Sequence, residues 1–323
     1  MGEWLDEWLA GKRKLALNTR RSYAGHIEQR LKSYLGDIDL EKLRHSHIRT
    51  AYDAIVATTA DGPRPVGLVT LACIHATLRA ALNAVKRQHR IVDNPAFFVE
   101  LDPTPRPKPV LWTPQWVIEW MATGRRPKVA VWLPPQIGAF LRLIVDDRPY
   151  ACYHLLVFRR PRRGEGVGLP WPDVDLEAGT LVLSQQIIQV GWATAITRPK
   201  DDSGGVIALD SVTIKVLRTH RARQLAERLA MRPAWIESHH VFTTEEGKPL
   251  HPDYVSRHFV RLIKRANTLR VGDEGPAVAD VQRAFDLPVT EAFDDQLRRA
   301  VFAFQRQQGL TATASWTLRP GIG

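Results

Sequence analysis

From Asp102 to Pro109 the chain reads Asp-Pro-Thr-Pro-Arg-Pro-Lys-Pro, with a proline at every second position. Each proline lacks the amide donor that a helix or a central strand needs, and each biases its predecessor toward extended backbone. No regular element runs through such a stretch, so any core formed before it closes separately from any core formed after it. The run reads as a semi-stiff strap. Residues 103–134 are therefore a connector, which also holds one short helix from Pro114 to Met121 and a basic loop, Arg125-Arg-Pro-Lys128.

Ahead of the strap, residues 1–102 read as a helical domain. Trp4, Leu5, Trp8 and Leu9 make a short apolar stripe, and Tyr23, Ile27, Leu31 and Leu35 repeat at spacing four after a Thr19 cap and stop at Gly36. Ile48, Tyr52, Ile55 and Val56 follow a Ser46 cap, while Leu71, Ile74, Leu78, Leu82 and Val85 follow Thr70. Four helices account for the segment. Their outer faces carry Arg20, Arg21, Arg30 and Lys32, then Arg79, Lys86, Arg87 and Arg90.

That basic surface gives the charge balance a meaning. The chain carries a net charge of +11, and lysines and arginines outnumber carboxylates 39 to 27 over residues 1–266, against 6 to 7 over 267–323. A polyanion is the expected partner, because cations that neutralise phosphates release condensed counterions, and it must bind within the first 266 residues. No uninterrupted apolar run of some 18 residues suggests a membrane span, and the acidic start Met1-Gly-Glu-Trp-Leu-Asp-Glu is unlike a signal peptide. The two cysteines, Cys73 and Cys152, lie in apolar helical patterns and read as buried reduced thiols of a cytoplasmic protein. Neither a metal site nor a cofactor is expected.

After the strap, residues 135–266 mix the two periodicities. Ile137 to Val145 and Tyr150 to Phe158 suit core helices, and Thr180 to Ile188, Gly191 to Thr197 and Gly204 to Leu209 read as strands. Asp210 or Ser211 caps a helix through Ala230, and a turn at Glu245-Glu-Gly-Lys leads to a last helix with Val255, Phe259, Leu262 and Ile263 on one face. The expected fold class is mainly α with a small antiparallel β-sheet.

Within this segment stand His154-Leu-Leu-Val-Phe-Arg-Arg-Pro-Arg-Arg-Gly-Glu165, Trp171-Pro-Asp-Val-Asp175 and Thr197-Arg-Pro-Lys200. Together they resemble the catalytic domain of tyrosine recombinases, the phage-integrase family, and residues 1–102 are similar to the core-binding domain that precedes it, with Leu78-Arg-Ala-Ala-Leu82 and Asp93-Asn-Pro-Ala96. The resemblance implies a strap that lets two domains close around duplex DNA. It also implies strand transfer through a phosphotyrosyl link, in which fixed cations meet the charge that grows on the phosphate. On that reading Arg162 takes the arginine position, Glu165 sits one helical turn on to hold it, and Lys200, in a hairpin, serves as acid to the leaving oxygen. Arg20, Arg21, Arg79, Lys86 and Arg87 are the DNA-contact candidates.

The sequence departs from the family in three places. Arg160 stands where the family has glycine, with Pro161 before the arginine; no His-x-x-Arg follows Ala266; and the last tyrosine, Tyr254, sits at a helix start in a setting that suits packing. His239, His240, His251 and His258 read as structural. The integrase likeness thus covers residues 1–266 without the second catalytic half. Residues 267–323, with Leu269-Arg-Val-Gly272, Gly275-Pro-Ala-Val278, Ala300-Val-Phe-Ala-Phe-Gln305 and Gln308-Gly-Leu310, resemble a peptidoglycan-binding-like domain, a small three-helix module. The apolar faces of the Tyr150 and Val255 helices are expected to lack partners. An integrase-like DNA-binding protein that does not complete strand transfer alone is the leading expectation. The alternatives are a recombinase completed by other protomers, and a cell-wall binding protein with a vestigial integrase part, which would require export.

Overall fold

The computed structural model describes residues 1–60, 62, 65–104, 106–200, 205–266, 268–269, 272, 274, 278–279, 282–283, 285–307 and 316–317. The chain divides into two compact units, Met1–Arg106 and Pro107–Gly323. It is mostly helical with small sheets, as its two periodicities require.

The first unit holds α1 (Gly2–Ala10), α2 (Leu17–His26), a π-helical turn (Ile27–Leu31), α3 (Lys32–Leu35), α4 (His45–Thr59) and α5 (Leu68–Arg87). The π turn has a cause in the sequence. A row of apolar residues every four positions drifts by about 40° per step around a regular α-helix. The wider π turn winds that row back, so Ile27, Leu31 and Leu35 all end fully buried. They meet Trp4, Leu5 and Trp8 of α1, Ile48, Tyr52 and Ile55 of α4, and Ile74, Leu78, Leu82 and Val85 of α5 in one core. Among the described residues α5 is the one helix long and apolar enough to cross a membrane; its apolar stripe is instead the wall of this core.

Three sequence expectations need correction here. The helices begin earlier than their expected caps: α2 starts at Leu17 and α4 at His45, so Thr19 and Ser46 lie inside first turns. Val56 is 40% exposed, because Ile55 already fills the core-facing position. Cys73 is exposed and unpaired, whereas Cys152 is buried; position 73 falls off the 71–74–78 row that faces the core.

The second unit opens with β1 (Val110–Leu111), α6 (Pro114–Thr123), β2 (Ala130–Val131), α7 (Pro134–Leu143), α8 (Tyr150–Arg159) and α9 (Arg163–Gly168). Strands β3 (Val174–Asp175), β4 (Thr180–Val182), β5 (Gln186–Val190), β6 (Ala193–Thr197) and β7 (Val206–Ala208) follow, then α10 (Ser211–Ala230) and α11 (Pro252–Ala266). The single strand expected from Thr180 to Ile188 is two. β4 pairs antiparallel with β3 and β7, while β5, among the described residues, pairs with β6 alone, across a Gly191-Trp192 turn. The chain breaks at Leu183-Ser184-Gln185, where Ser184 bonds Asp173 and Gln185 Nε2 donates to Gly168 O at 2.8 Å. A β5–β6 arm is thereby inserted between the antiparallel neighbours β4 and β7.

The faces expected to lack partners cover one another. Ala151, Cys152, Tyr153 and Leu155 of α8 share a core with Val255 and Leu262 of α11, and Tyr153 Oη donates to Val255 O at 3.0 Å. Phe259, although 38% exposed, sets its ring edge-on to Phe140 at 5.4 Å. Beyond α11 come β8 (Thr268–Leu269), α12 (Asp295–Gln307) and β9 (Trp316–Thr317), with Val278, Phe293, Leu297 and Val301 forming a small separate core. Arg270, Val271, Gly275-Pro-Ala277 and Gln308-Gly-Leu310, on which the resemblance of this segment partly rests, lie outside the described residues, and α12 is the one of its three expected helices with described bounds.

Candidate active site and nucleic-acid interface

Arg162 owes its position to the way α8 ends. The last turn of α8 is fastened to the start of α10. His154 Nε2 lies 3.1 Å from Thr213 Oγ1, that hydroxyl donates to Asp210 Oδ2 at 2.9 Å, and Arg159 pairs with the same carboxylate. Because the Thr213 hydroxyl proton goes to Asp210, His154 donates from Nε2, and burial keeps its pKa below the ordinary histidine value. Arg160 then turns the chain in the left-handed region, φ 55° and ψ 31°. Buried Pro161 follows, and Arg162 becomes the residue that precedes α9, with extended backbone.

Glu165 closes the turn. Its Oε2 accepts the Arg162 backbone N–H at 2.8 Å and its Oε1 accepts Arg162 Nη1 at 2.9 Å. The carboxylate is 4% exposed, yet the arginine side chain is 56% exposed. A buried anion therefore fixes both ends of a cation whose guanidinium still faces solvent. Such a group stabilises a phosphate at little reorganisation cost.

Glycines let α9 sit between two neighbours. A Cβ on Gly168 would stand 2.8 Å from Ile187 N, one on Gly164 2.7 Å from Ile187 O, and one on Gly166 3.0 Å from Leu156 Cδ2. So β5 lies directly on the 164/168 face while α8 lies on the other. Lys200 is exposed and comes three residues after β6, in the connection to β7. The expected simple hairpin is thus elaborated: the tight turn belongs to Gly191-Trp192, and Lys200 lies at the base of the arm. Asp201 to Gly204 lie outside the described residues. Gln186 links the two halves of the site, since its Nε2 donates to Arg198 O at 2.8 Å and its Oε1 lies 3.6 Å from the Cβ position of Gly164. Sequence reasoning missed this pair of glutamines, Gln185 and Gln186; the available signal was two consecutive amides inside the run from Thr180 to Ile188.

Around α11, Tyr153 Oη has one proton and gives it to Val255 O. His258 Nδ1, 3.0 Å from the same oxygen, must then be the donor in that contact. Tyr254 stacks on His258 at 5.5 Å and 16°. His258 thereby ties α11 to α8, and Tyr254, one turn before it, is partly buried against the same core. No group of three or more metal-ligating side chains gathers among the described residues.

The five candidate DNA contacts in the first unit are not equivalent. Arg20 donates to Leu9 O at 3.4 Å and to Lys12 O, tying α2 to the end of α1. Arg79 lies over the Phe97 ring at 4.3 Å, and Lys86 pairs with Asp93 at 2.8 Å. Arg21 and Arg87 are exposed. The two helices that carry these cations touch through His26 Nδ1 and Thr77 Oγ1, 2.8 Å apart, and burial lowers the His26 pKa.

A family model, the phage integrase N-terminal SAM-like domain, matches residues 1–55. A tyrosine recombinase XerC-like protein of Caldanaerobacter subterraneus subsp. tengcongensis is 30% identical over 118 residues, which span 32% of this chain and 30% of that relative. The fold is similar to that of the Tn1549 transposon integrase solved with transposon right-end DNA, with TM-score 0.60 and 19% identity over 82% of this chain and 78% of that one. It is also similar to a lambda integrase dimer bound to a core site, with TM-score 0.54 and 13% identity over 95% of this chain and 70% of that one. Residues 1–55 thus resemble the N-terminal domain of phage integrases, the chain spans under a third of the recombinase relative it matches, and its fold is like that of two integrases solved with DNA.

Proposed function

We propose that the protein acts in DNA recombination by binding duplex DNA, with Arg162 and Lys200 set against one backbone phosphate. The observation that carries this reading is the exposed Arg162 guanidinium held at both ends by a buried Glu165. In phosphoryl transfer the charge that develops on the nonbridging oxygens needs a cation already in place, and the leaving oxygen needs a proton. Arg162 suits the first task and the Lys200 ammonium the second. DNA as partner implies a cytoplasmic site of action. Dimers and tetramers of lambda integrase on DNA make other protomers candidate partners as well.

The chain has no tyrosine after Tyr254, and Tyr254 is stacked into the α11 packing. We therefore assign these 323 residues binding without a covalent link of their own. Binding to a nicked suicide duplex at several salt concentrations tests both parts. About six phosphate contacts give a slope of log affinity against log salt of roughly −5, and denaturing electrophoresis shows no shifted band. A slope near zero refutes DNA binding through phosphates. A denaturation-resistant band that is lost in Tyr254→Phe refutes the noncovalent assignment.

A further inference from the structure

Arg159, Arg160, Arg162 and Arg163 stand at the turn from α8 to α9, and all but one are committed within the fold. Arg159 pairs with Asp210, Arg162 pairs with Glu165 at 2.9 Å, and the Arg163 guanidinium bonds the Ser256 hydroxyl of α11. Arg160 is exposed, and among the described residues its side chain has no hydrogen bond, ion pair or ring contact.

The charges at this turn do not cancel. Asp210 and Glu165 each answer one arginine, which leaves Arg160 and Arg163 uncompensated. The Arg162–Glu165 pair is well oriented but carries no net charge, so a phosphate docked on it gains less attraction than one that also meets a lone cation. Arg163 has already given its guanidinium to Ser256. The cation whose whole fork is open to an incoming anion is Arg160.

The backbone makes the choice of residue informative. At φ 55° and ψ 31° Arg160 holds a left-handed conformation that is unfavourable for an L-residue and open to glycine. Its side chain lies in solvent, so little packing offsets that cost. A strained residue whose side chain contributes little to the fold points to a task outside the fold.

We propose that Arg160 is a second phosphate-binding residue of the DNA site, taking a backbone phosphate beside the one assigned to Arg162; this rests on the DNA-binding reading above. Two residues of chain span at most about 7 Å, and the phosphates of one strand follow one another every ~3.4 Å along the duplex axis. Arg160 and Arg162 flank buried Pro161, so both side chains leave the surface at one place and reach one short stretch of backbone. Their roles divide. Arg162, held by Glu165, sets the register, and Arg160 supplies net charge and gives up its side-chain freedom only on binding.

The test uses the full chain and a fluorescently labelled nicked duplex, with anisotropy titrations across a salt series. Loss of one phosphate contact makes the slope of log affinity against log salt shallower by about 0.9 and weakens binding roughly fivefold at about 0.15 M salt. Arg160→Gly and Arg160→Ala should both show this change, and Arg160→Lys, which keeps the charge, should keep the slope. Arg160→Gly should do so while melting no lower than the unsubstituted protein, which separates a lost contact from a lost fold. Arg162→Ala should change the slope by a similar amount, and in the double variant the two changes should add. If the double variant instead matches Arg162→Ala alone, Arg160 acts only through Arg162 and the proposal is overturned. A steep slope that Arg160→Gly leaves unchanged also overturns it, while DNA binding itself stands. A slope near zero in the unsubstituted chain removes the DNA-binding reading and this proposal with it.

Discussion

Arg160 occupies a left-handed conformation, φ 55° and ψ 31°, at the point where α8 hands the chain to Arg162. That backbone costs an L-residue about 1–2 kcal/mol relative to its preferred regions, and a glycine there avoids the cost. Glycine in turn loses about 0.5–1 kcal/mol more conformational entropy on folding than other residues. The difference predicts that Arg160→Gly stabilises the second unit by about 0.5–1 kcal/mol, which for a domain near 200 residues raises the melting temperature by about 2 °C. The side chain at 160 is exposed, so little packing is lost, and removing one charge from the Arg159–Arg163 cluster adds in the same direction. Differential scanning calorimetry in the absence of DNA measures the effect. Arg160→Ala is the decisive control because it removes the same side chain and the same charge but keeps the left-handed cost; it should gain only the small part that comes from the charge. If alanine stabilises as much as glycine, side-chain repulsion and not backbone conformation is responsible. If glycine destabilises, the strain argument is wrong.

Three further outcomes follow from the site geometry. Gly168→Ala should cost about 1–3 kcal/mol, because its Cβ would meet backbone at 2.8 Å from Ile187 N, whereas Gly166→Ala should be near neutral, since it meets only the flexible end of Leu156; chemical denaturation of the two variants compares them. Glu165→Gln should lower stability by about 1 kcal/mol and weaken duplex binding, because a neutral amide holds the Arg162 guanidinium less firmly than a carboxylate, with calorimetry and a binding titration as readouts. Burial pushes the His220 pKa down to about 4. Since the unfolded value is higher, the folded state binds fewer protons, so stability is intact above about pH 6.5 and falls by about 1.4 kcal/mol per unit toward pH 4; melting curves of His220→Gln should show a shallower decline over that range.

Much of the fold was legible because apolar spacing is a direct record of which face is buried. The rows at Ile74, Leu78, Leu82 and Val85, and the Asp210 cap of α10, appear in the structure where the sequence put them. The site was legible only in part. Glu165 three residues after Arg162 is a spacing that any helical turn brings together, and it does so here. What sequence could not show is a change of partner partway along an apolar run: Thr180 to Ile188 alternates like one strand, and only the anchors of Ser184 and Gln185 reveal that it serves two sheets. The partners of Arg20 were hidden for a related reason. Its place on an outward helical position says nothing of the nearby end of α1, where the carbonyls of Leu9 and Lys12 accept its guanidinium.

The constraints on Arg162 converge from parts of the chain that are distant in sequence. Asp210, at the head of α10, holds Arg159 and through Thr213 orients His154. The β5 backbone presses on Gly164 and Gly168, and Gln186 carries that contact on to Arg198, two residues before Lys200. Glu165 then fixes the arginine itself. None of these contacts needs DNA, so the orientation of the guanidinium is settled during folding and its entropy is already lost when a phosphate arrives. The same convergence explains why an arginine is tolerated at 160 although glycine suits the backbone better. With α8 fastened to α10 on one side and α9 clasped by β5 on the other, the turn between them has one available path, and a local cost of about 1–2 kcal/mol is too small to open it against both contacts.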